Sequence, residues 1–176
     1  MKKYYLGIDP GKVNLGLAII SYDAETKKTA YVFSTVLVPN SYKNPVLFTK
    51  EITNLIGAHT DGHLSGVGIE RFVSFDDKFT KDAEFIVQLI GSLVFYFLNY
   101  WSLGPVMVRS VEWKQALVKH LFKTKGFDNP STSLDKKFSI AAAKACLDEG
   151  APEFKEDHTA DAICLAYTSL MKDISA

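Results

Sequence analysis

Three acidic segments of this 176-residue chain have the residue types and spacing to do chemistry together. Asp9 follows the apolar run Tyr4-Tyr5-Leu6-Gly7-Ile8 in GIDPGKVNLGLA (residues 7 to 18), and Glu70 follows alternating apolar residues in GVGIERF (residues 66 to 72). The third segment, Asp157-His158-Thr159-Ala160-Asp161, opens the apolar run Ala162-Ile163-Cys164-Leu165-Ala166. Residues three or four apart share a helical face, so Asp161 can join either His158 or Asp157. Carboxylate oxygens with one imidazole suit a hard divalent cation, Mg2+ with Mn2+ as a substitute. Two such ions about 4 Å apart activate a water and stabilise the leaving oxygen of a phosphodiester. Each residue also has a plainer reading. Asp9 in Asp-Pro-Gly can close a hairpin, Glu70 can be a solvated strand end, Asp157 can cap a helix, and a lone histidine is usually structural. The coincidence of these residues at separate element ends favours a shared site.

Those ends need a fold that gathers them. Residues 3 to 9, 15 to 22 and 29 to 38 read as three short strands of an antiparallel meander, with residues 23 to 28 as a polar hairpin loop. Helical spacing at Val46, Ile52, Leu55 and Ile56 predicts a helix over 46 to 58, followed by a strand near Leu64 to Glu70. A long helix over about 80 to 101, a strand over Val106-Met107-Val108 and a helix over about 111 to 122 continue the alternation. Residues 123 to 133 (KTKGFDNPSTS) read as a Gly, Pro and Ser-rich loop, and helices over about 135 to 148 and 157 to 172 close the chain. The expected class is α/β, a mixed five-stranded sheet flanked by helices on both faces, forming one domain over residues 1 to 176.

The formal net charge is zero, so a polyanionic partner must be held by a local patch or through metal ions. Cys146 and Cys164 lie in helical patterns without a C-x-x-C pair, and no secretory leader pattern opens the chain. Buried thiols in a cytoplasmic protein are expected. Phe85 to Trp101 comes nearest to a membrane span, but Gln88, Gly91, Ser92 and Asn99 interrupt it. A helix apolar nearly all round suits packing against a sheet on one side and a partner subunit on the other, so no membrane contact is expected.

Together, GIDPGKVNLGLA, GIERF and DHTADAICLA resemble the RuvC family of Holliday junction resolvases, and the matching element order covers nearly the whole chain. The resemblance implies an RNase H-like fold, a homodimer, and divalent-metal-dependent cleavage of four-way DNA junctions in recombination and repair. Carried over by motif, it implies two Mg2+ ions per site, with Asp9 bridging both, Glu70 on one, and His158 with Asp161 on the other. Family members have aspartate or histidine at the position matching His158, and the adjacent Asp157 keeps a second alignment open. The loop over 123 to 133 and the segment around 134 to 150 are longer than in the compact bacterial form. The chain therefore looks like a divergent branch of the family, with a viral source open.

Between Arg109 and Lys137 the chain has seven basic residues against three acidic ones, the best phosphate-facing segment of a neutral protein. Its plainer reading is a solvated helix and loop. The stretch VEWKQALVKH (residues 111 to 120) is similar to a family helix whose lysines approach DNA, which implies Lys114 and Lys119 first, with Lys123 and Lys125 beyond them. After Glu70, the run Arg71-Phe72-Val73-Ser74-Phe75 offers a cation and two aromatics. In the family an aromatic here wedges between bases; Phe75 is favoured because Phe72 can belong to the core. A junction has two strands to cut symmetrically, so one site per subunit of a two-fold dimer fits it, with the helix near 80 to 101 as the interface. Three rival readings stand beside this one. They are an RNase H-like nuclease for other branched DNA or RNA, an actin-like ATPase fragment suggested by GIDPG after a strand, and a non-catalytic junction-binding protein.

Overall fold

Alternation along the strands decides which residues meet which helices. The computed structural model describes residues 1–11, 13–41, 45–72, 81–129, 133–154 and 157–175, with the backbone alone at 40, 45, 46, 81 and 82. Five strands form one sheet: β1 (Lys2–Asp9), β2 (Leu15–Asp23), β3 (Lys28–Leu37), β4 (Gly66–Glu70) and β5 (Val106–Val108). Their order is β3-β2-β1-β4-β5, antiparallel through β1, β2 and β3 and parallel from β1 to β4 to β5. The helices are α1 (Pro45–His59), α2 (Lys81–Trp101), α3 (Ser110–Lys125), α4 (Lys136–Cys146) and α5 (Asp157–Ser175). This is the expected α/β class, a mixed five-stranded sheet with helices on both faces.

Period-two alternation divides the core in two. Leu6, Ile8, Leu15, Leu17, Ile19, Val67 and Ile69 face α1 and α2, where they pack with Phe48, Ile52, Ile56, Leu89, Leu93 and Phe97. On the other face Tyr5, Ala18, Ile20 and Val108 meet α3, α4 and α5 through Trp113, Leu117, Phe138, Ala142 and Ala162. By length and composition α2 could cross a membrane over Ala83–Trp101. Its stripe of Leu89, Leu93 and Phe97 is fully buried against the sheet and α1.

Helix α5 lies directly on the sheet, and glycines permit it. A Cβ on Gly7 would enter the Ala162 carbonyl and come within 2.5 Å of the Ala166 nitrogen. One on Gly16 would strike the His158 carbonyl, and one on Gly68 that of Leu165. Gly7 pairs with Gly68 in the parallel ladder, while Gly16 pairs with Asp9 in the antiparallel one. The three therefore form a floor across β2, β1 and β4 on which a helix backbone rests.

One boundary needs correction. The expected loop from residue 123 begins three residues later, because α3 continues through Lys125. Gly126 supplies the left-handed C-cap at φ 63°, and its N–H bonds back to the Phe122 carbonyl. Lys123 and Lys125 in the final turn also suit the negative end of the helix dipole.

Gly7→Ala is expected to destabilise the protein by about 2–3 kcal/mol or more, since the new methyl must displace α5 backbone rather than a flexible side chain. Gly57→Ala in α1, where the added Cβ has open space, is expected to be neutral or stabilising by up to about 1 kcal/mol. Denaturant unfolding of the two variants gives the comparison; equal stability would refute the close-approach explanation.

Candidate active site

Asp9 and Glu70 lie two residues beyond Gly7 and Gly68, and alternation puts their side chains on the glycine face. The β1–β4 register ends with Ile8 beside Ile69, so the two carboxylates leave adjacent parallel strands at the same edge. Helix α5 starts over this edge, with the His158 carbonyl above Gly16. His158 Nδ1 lies 3.0 Å from Asp9 Oδ2. When Nδ1 donates to that carboxylate, the neutral ring keeps Nε2 as its lone-pair nitrogen. The hydrogen bond to Asp9 holds the His158 imidazole above its ordinary pKa, against the opposing effect of partial burial.

The other two carboxylates are deeper. Burial pushes Glu70 up to about 7, and the nearby Asp9 and Asp161 charges push the same way. Opposing them, the indole N–H of Trp113 donates to Glu70 Oε2 at 2.8 Å. Trp113 is itself fully buried. Asp161 is likewise raised to about 6 by burial, while a hydrogen bond from Ser139 and the Lys114 charge favour its ionised form. Lys114 stands 5.1 Å over the Trp113 ring and donates to the Leu134 carbonyl at 3.2 Å. It is thus held where it lowers both Glu70 and Asp161.

Asp157 turns elsewhere. It is the first residue of α5 and accepts from Lys136 Nζ at 3.2 Å. Partial burial opposes its ionisation, but the Lys136 bond and charge outweigh that and hold it below its usual range. Of the two alternatives in this motif, His158 is the side chain in contact with Asp9.

These residues suit a divalent cation by the chemistry of the donor set. Asp161 Oδ1 is buried and has no hydrogen-bond partner among the described residues, as an oxygen reserved for a cation would be. The Coulombic coupling that raises Glu70 and Asp161 is of the sign a positive ion reverses. Asp9, Glu70, Asp161 and His158 could hold such an ion. Among the described residues no three His, Cys, Asp or Glu side chains are already gathered into a ligand group. The Glu70 carboxylate leans on Trp113, and the His158 ring leans on Asp9.

The basic residues do not form one face with this edge. Lys114 adjoins the carboxylates, but Lys125 lies three helical turns further on, roughly 16 Å along the axis. There it donates to Asp148 Oδ1 at 2.9 Å and to the Cys146 carbonyl at 3.3 Å. Lys119 and Lys123 are exposed, about 140–180° around α3 from Lys114. Arg71 is exposed and Phe72 half-buried beside Glu70, whereas Phe75 lies outside the described residues. Sequence reading missed Trp113 and Ser139. Their only local signal is an apolar or neutral residue at a buried helix position, and their partners come from distant segments.

No family model matches the chain, and no curated protein matches it by sequence. Solved structures do match it in three dimensions. Thermus thermophilus RuvC superposes with a TM-score of 0.68 at 17% identity, covering 98% of this chain and 96% of that one. The same protein in complex with a Holliday junction substrate gives 0.67 at 16% identity, with the same coverage. Fowlpox virus resolvase bound to junction DNA gives 0.52 at 13% identity over the whole of both chains. The yeast mitochondrial Holliday junction resolvase gives 0.53 at 14% identity, covering 92% of this chain and 76% of that one. The likeness shows the fold, the RNase H-like arrangement of these resolvases.

The raised carboxylates make stability depend on pH with a definite sign. The native state binds more protons than the unfolded chain between an ordinary carboxylate value near 4 and Glu70's value of about 7, so stability falls as pH rises through that window. With chelator present, Glu70→Gln is expected to raise Tm at pH 8 by roughly 4–8 °C, reflecting relief of about 2 kcal/mol. That gain should shrink towards zero by pH 5. Thermal melts across this range check it, and a gain independent of pH would contradict the electrostatic origin.

Proposed function

We propose that the chain is a divalent-metal-dependent endonuclease that resolves four-way DNA junctions. The observation that carries this reading is that Asp9, in contact with His158, and Glu70 leave adjacent strands at one sheet edge and couple electrostatically to the buried Asp161, in the fold of the resolvases above. Residues 1 to 176 act as one nuclease domain. Asp9, which touches His158 and couples to Glu70 and Asp161, would be the central ligand for Mg2+, for which Mn2+ could substitute. Glu70, His158 and Asp161 would supply the remaining protein ligands. Bound ions would supply Lewis acidity for generating the nucleophile and for neutralising the leaving oxygen. Trp113 and Ser139 hold Glu70 and Asp161 in their ionised orientations. Water attacks phosphorus in line, the P–O3′ bond breaks, and the products are a 3′-hydroxyl and a 5′-phosphate. Lys114, Arg71 and Phe72 lie nearest the cut strand, and exposed Lys119 and Lys123 meet backbone further out.

A second copy completes the assembly through α2. Opposite the buried stripe, Phe95 and Leu98 are 65% and 50% exposed; Tyr100 in the last turn is 75% exposed and Leu47 of α1 58%. A groove of about 850 Å³ runs between the two helices, lined by Leu47, Thr53, Gly91, Phe95, Tyr96 and Tyr100. Such a contiguous apolar surface suits an isologous contact, which also gives the two-fold symmetry a junction requires.

Wild-type protein with Mg2+ is expected to cut a synthetic four-way junction much faster than linear duplex of the same sequence. Asp9→Asn should lower cleavage by at least about a thousandfold while still binding the junction. Cleavage at the wild-type rate by this variant would defeat the scheme. A preference for flaps or RNA hybrids over junctions would instead favour a related nuclease with another substrate.

For the assembly, light scattering at micromolar concentration should report a dimer for wild type and a monomer for Phe95→Asp. A monodisperse wild-type monomer would overturn the interface assignment.

A further inference from the structure

We propose that the cavity between the end of β4 and the first turn of α3 receives one unstacked nucleobase of the strand being cut, and that Val111 and Gln115 determine which base is accepted. This deepens the nuclease reading and rests on it. The cavity measures about 470 Å³, and its walls include Glu70, Phe72, Arg109, Val111 and Gln115. Glu70 belongs to both the cavity and the carboxylate edge, so a strand lying on that edge brings the base of an adjacent nucleotide to the cavity mouth.

Charge argues for a base rather than a phosphate. Arg109 is already neutralised: its Nε and Nη2 donate to Glu112 Oε1 at 2.9 and 2.6 Å. The second Glu112 oxygen accepts the Arg109 backbone N–H at 3.0 Å. Arg71 is the other cation in the wall, and its charge acts on the same Glu112 carboxylate. With Arg109 engaged by Glu112, the wall offers less to a phosphate than two arginines otherwise would, and no penalty to a neutral heteroaromatic ring. Phe72 is half-buried and Val111 is 58% exposed, giving the wall an aromatic group and an open aliphatic one. Base stacking on aromatic side chains is favourable without regard to sequence, so these groups supply occupancy. Gln115 supplies discrimination, because a carboxamide presents a donor and an acceptor side by side to a base edge. The volume lies within the range of small-molecule sites and suits a nucleoside-sized group.

The test uses abasic substitutions at single positions flanking the cleaved phosphate of a four-way junction. With the wild-type chain and Mg2+, an abasic site at one of these positions should lower kcat/KM at least tenfold, and other positions should matter little. In Val111→Trp, which fills the cavity, and in Gln115→Ala, the same substitution should change kcat/KM less than threefold. Circular dichroism melts matching wild type exclude unfolding as the cause. In Asp9→Asn with chelator, the same abasic site should weaken junction binding several-fold, an effect independent of catalysis. If the wild type cuts junctions but is indifferent to every abasic position, or if both variants keep its sensitivity, the base-pocket inference falls and the nuclease reading stands. If the wild type cuts no junction at all, the nuclease reading falls and takes this inference with it.

Discussion

The site depends on how closely the α5 backbone approaches the sheet. Gly7, Gly16 and Gly68 remove three side chains beneath it, and any Cβ at those positions would overlap backbone atoms of α5. The same period-two alternation that puts Gly7 and Gly68 under the helix puts Asp9 and Glu70 on that face at the strand ends. Glycine at one position and carboxylate two residues on is therefore a single device, used on two parallel neighbours. Against it, α5 presents small residues, Ala162 and Ala166, and begins with His158 and Asp161 above the edge. A bulkier floor would lift the helix and separate the imidazole from Asp9.

Close approach carries an electrostatic cost. Carboxylates crowded at one edge and partly shielded from water oppose one another's ionisation, and both Glu70 and Asp161 are raised accordingly. The compensation comes from the layer beyond α5. Trp113 and Lys114 of α3 and Ser139 of α4 reach inward to the carboxylates, and Lys114 is braced by the Trp113 ring and the Leu134 carbonyl. Buried polar groups need partners, and here those partners favour the charged form that a cation would require. Helices α3 and α4 thus support the chemistry as well as covering the core.

Much of the fold was legible because it rests on local pattern. Alternation marked β1, β2 and β3, and helical spacing marked α1, α2 and α5 to within a few residues. The convergence of Asp9, Glu70 and the α5 start was legible too, since each lies at an element end in a motif read as a unit. The end of α3 was not, because Lys-Thr-Lys before a glycine is equally good as loop or as last turn, and the cap geometry of Gly126 decides it. Which of Asp157 and His158 turns toward Asp9 was closed to sequence reasoning for a different reason. Both fit the helical spacing, and only the tertiary position of Lys136 draws Asp157 aside. Trp113 and Ser139 act through partners 43 and 22 positions away, so no local rule could link them to the carboxylates. Lys125 joined the basic segment on composition, yet Asp148 and the Cys146 carbonyl engage its charge at the far end of α3.

These constraints show how a sequence only 13–17% identical to the resolvases above can build the same fold. Fixed geometry is demanded at few positions: the glycine floor, the carboxylates two residues beyond it, and the small residues of α5 that touch the floor. The cluster between the sheet and helices α1 and α2 asks only for apolar side chains of suitable volume in alternation, and cores tolerate extensive exchange under that condition. The supports beyond α5 need a donor near each carboxylate, which a tryptophan indole can provide as well as another group. Sequence is therefore free to drift wherever the requirement is a pattern rather than a particular atom. It is restricted where backbone meets backbone across the glycines, because no larger residue can preserve the separation on which the positions of His158 and Asp161 depend.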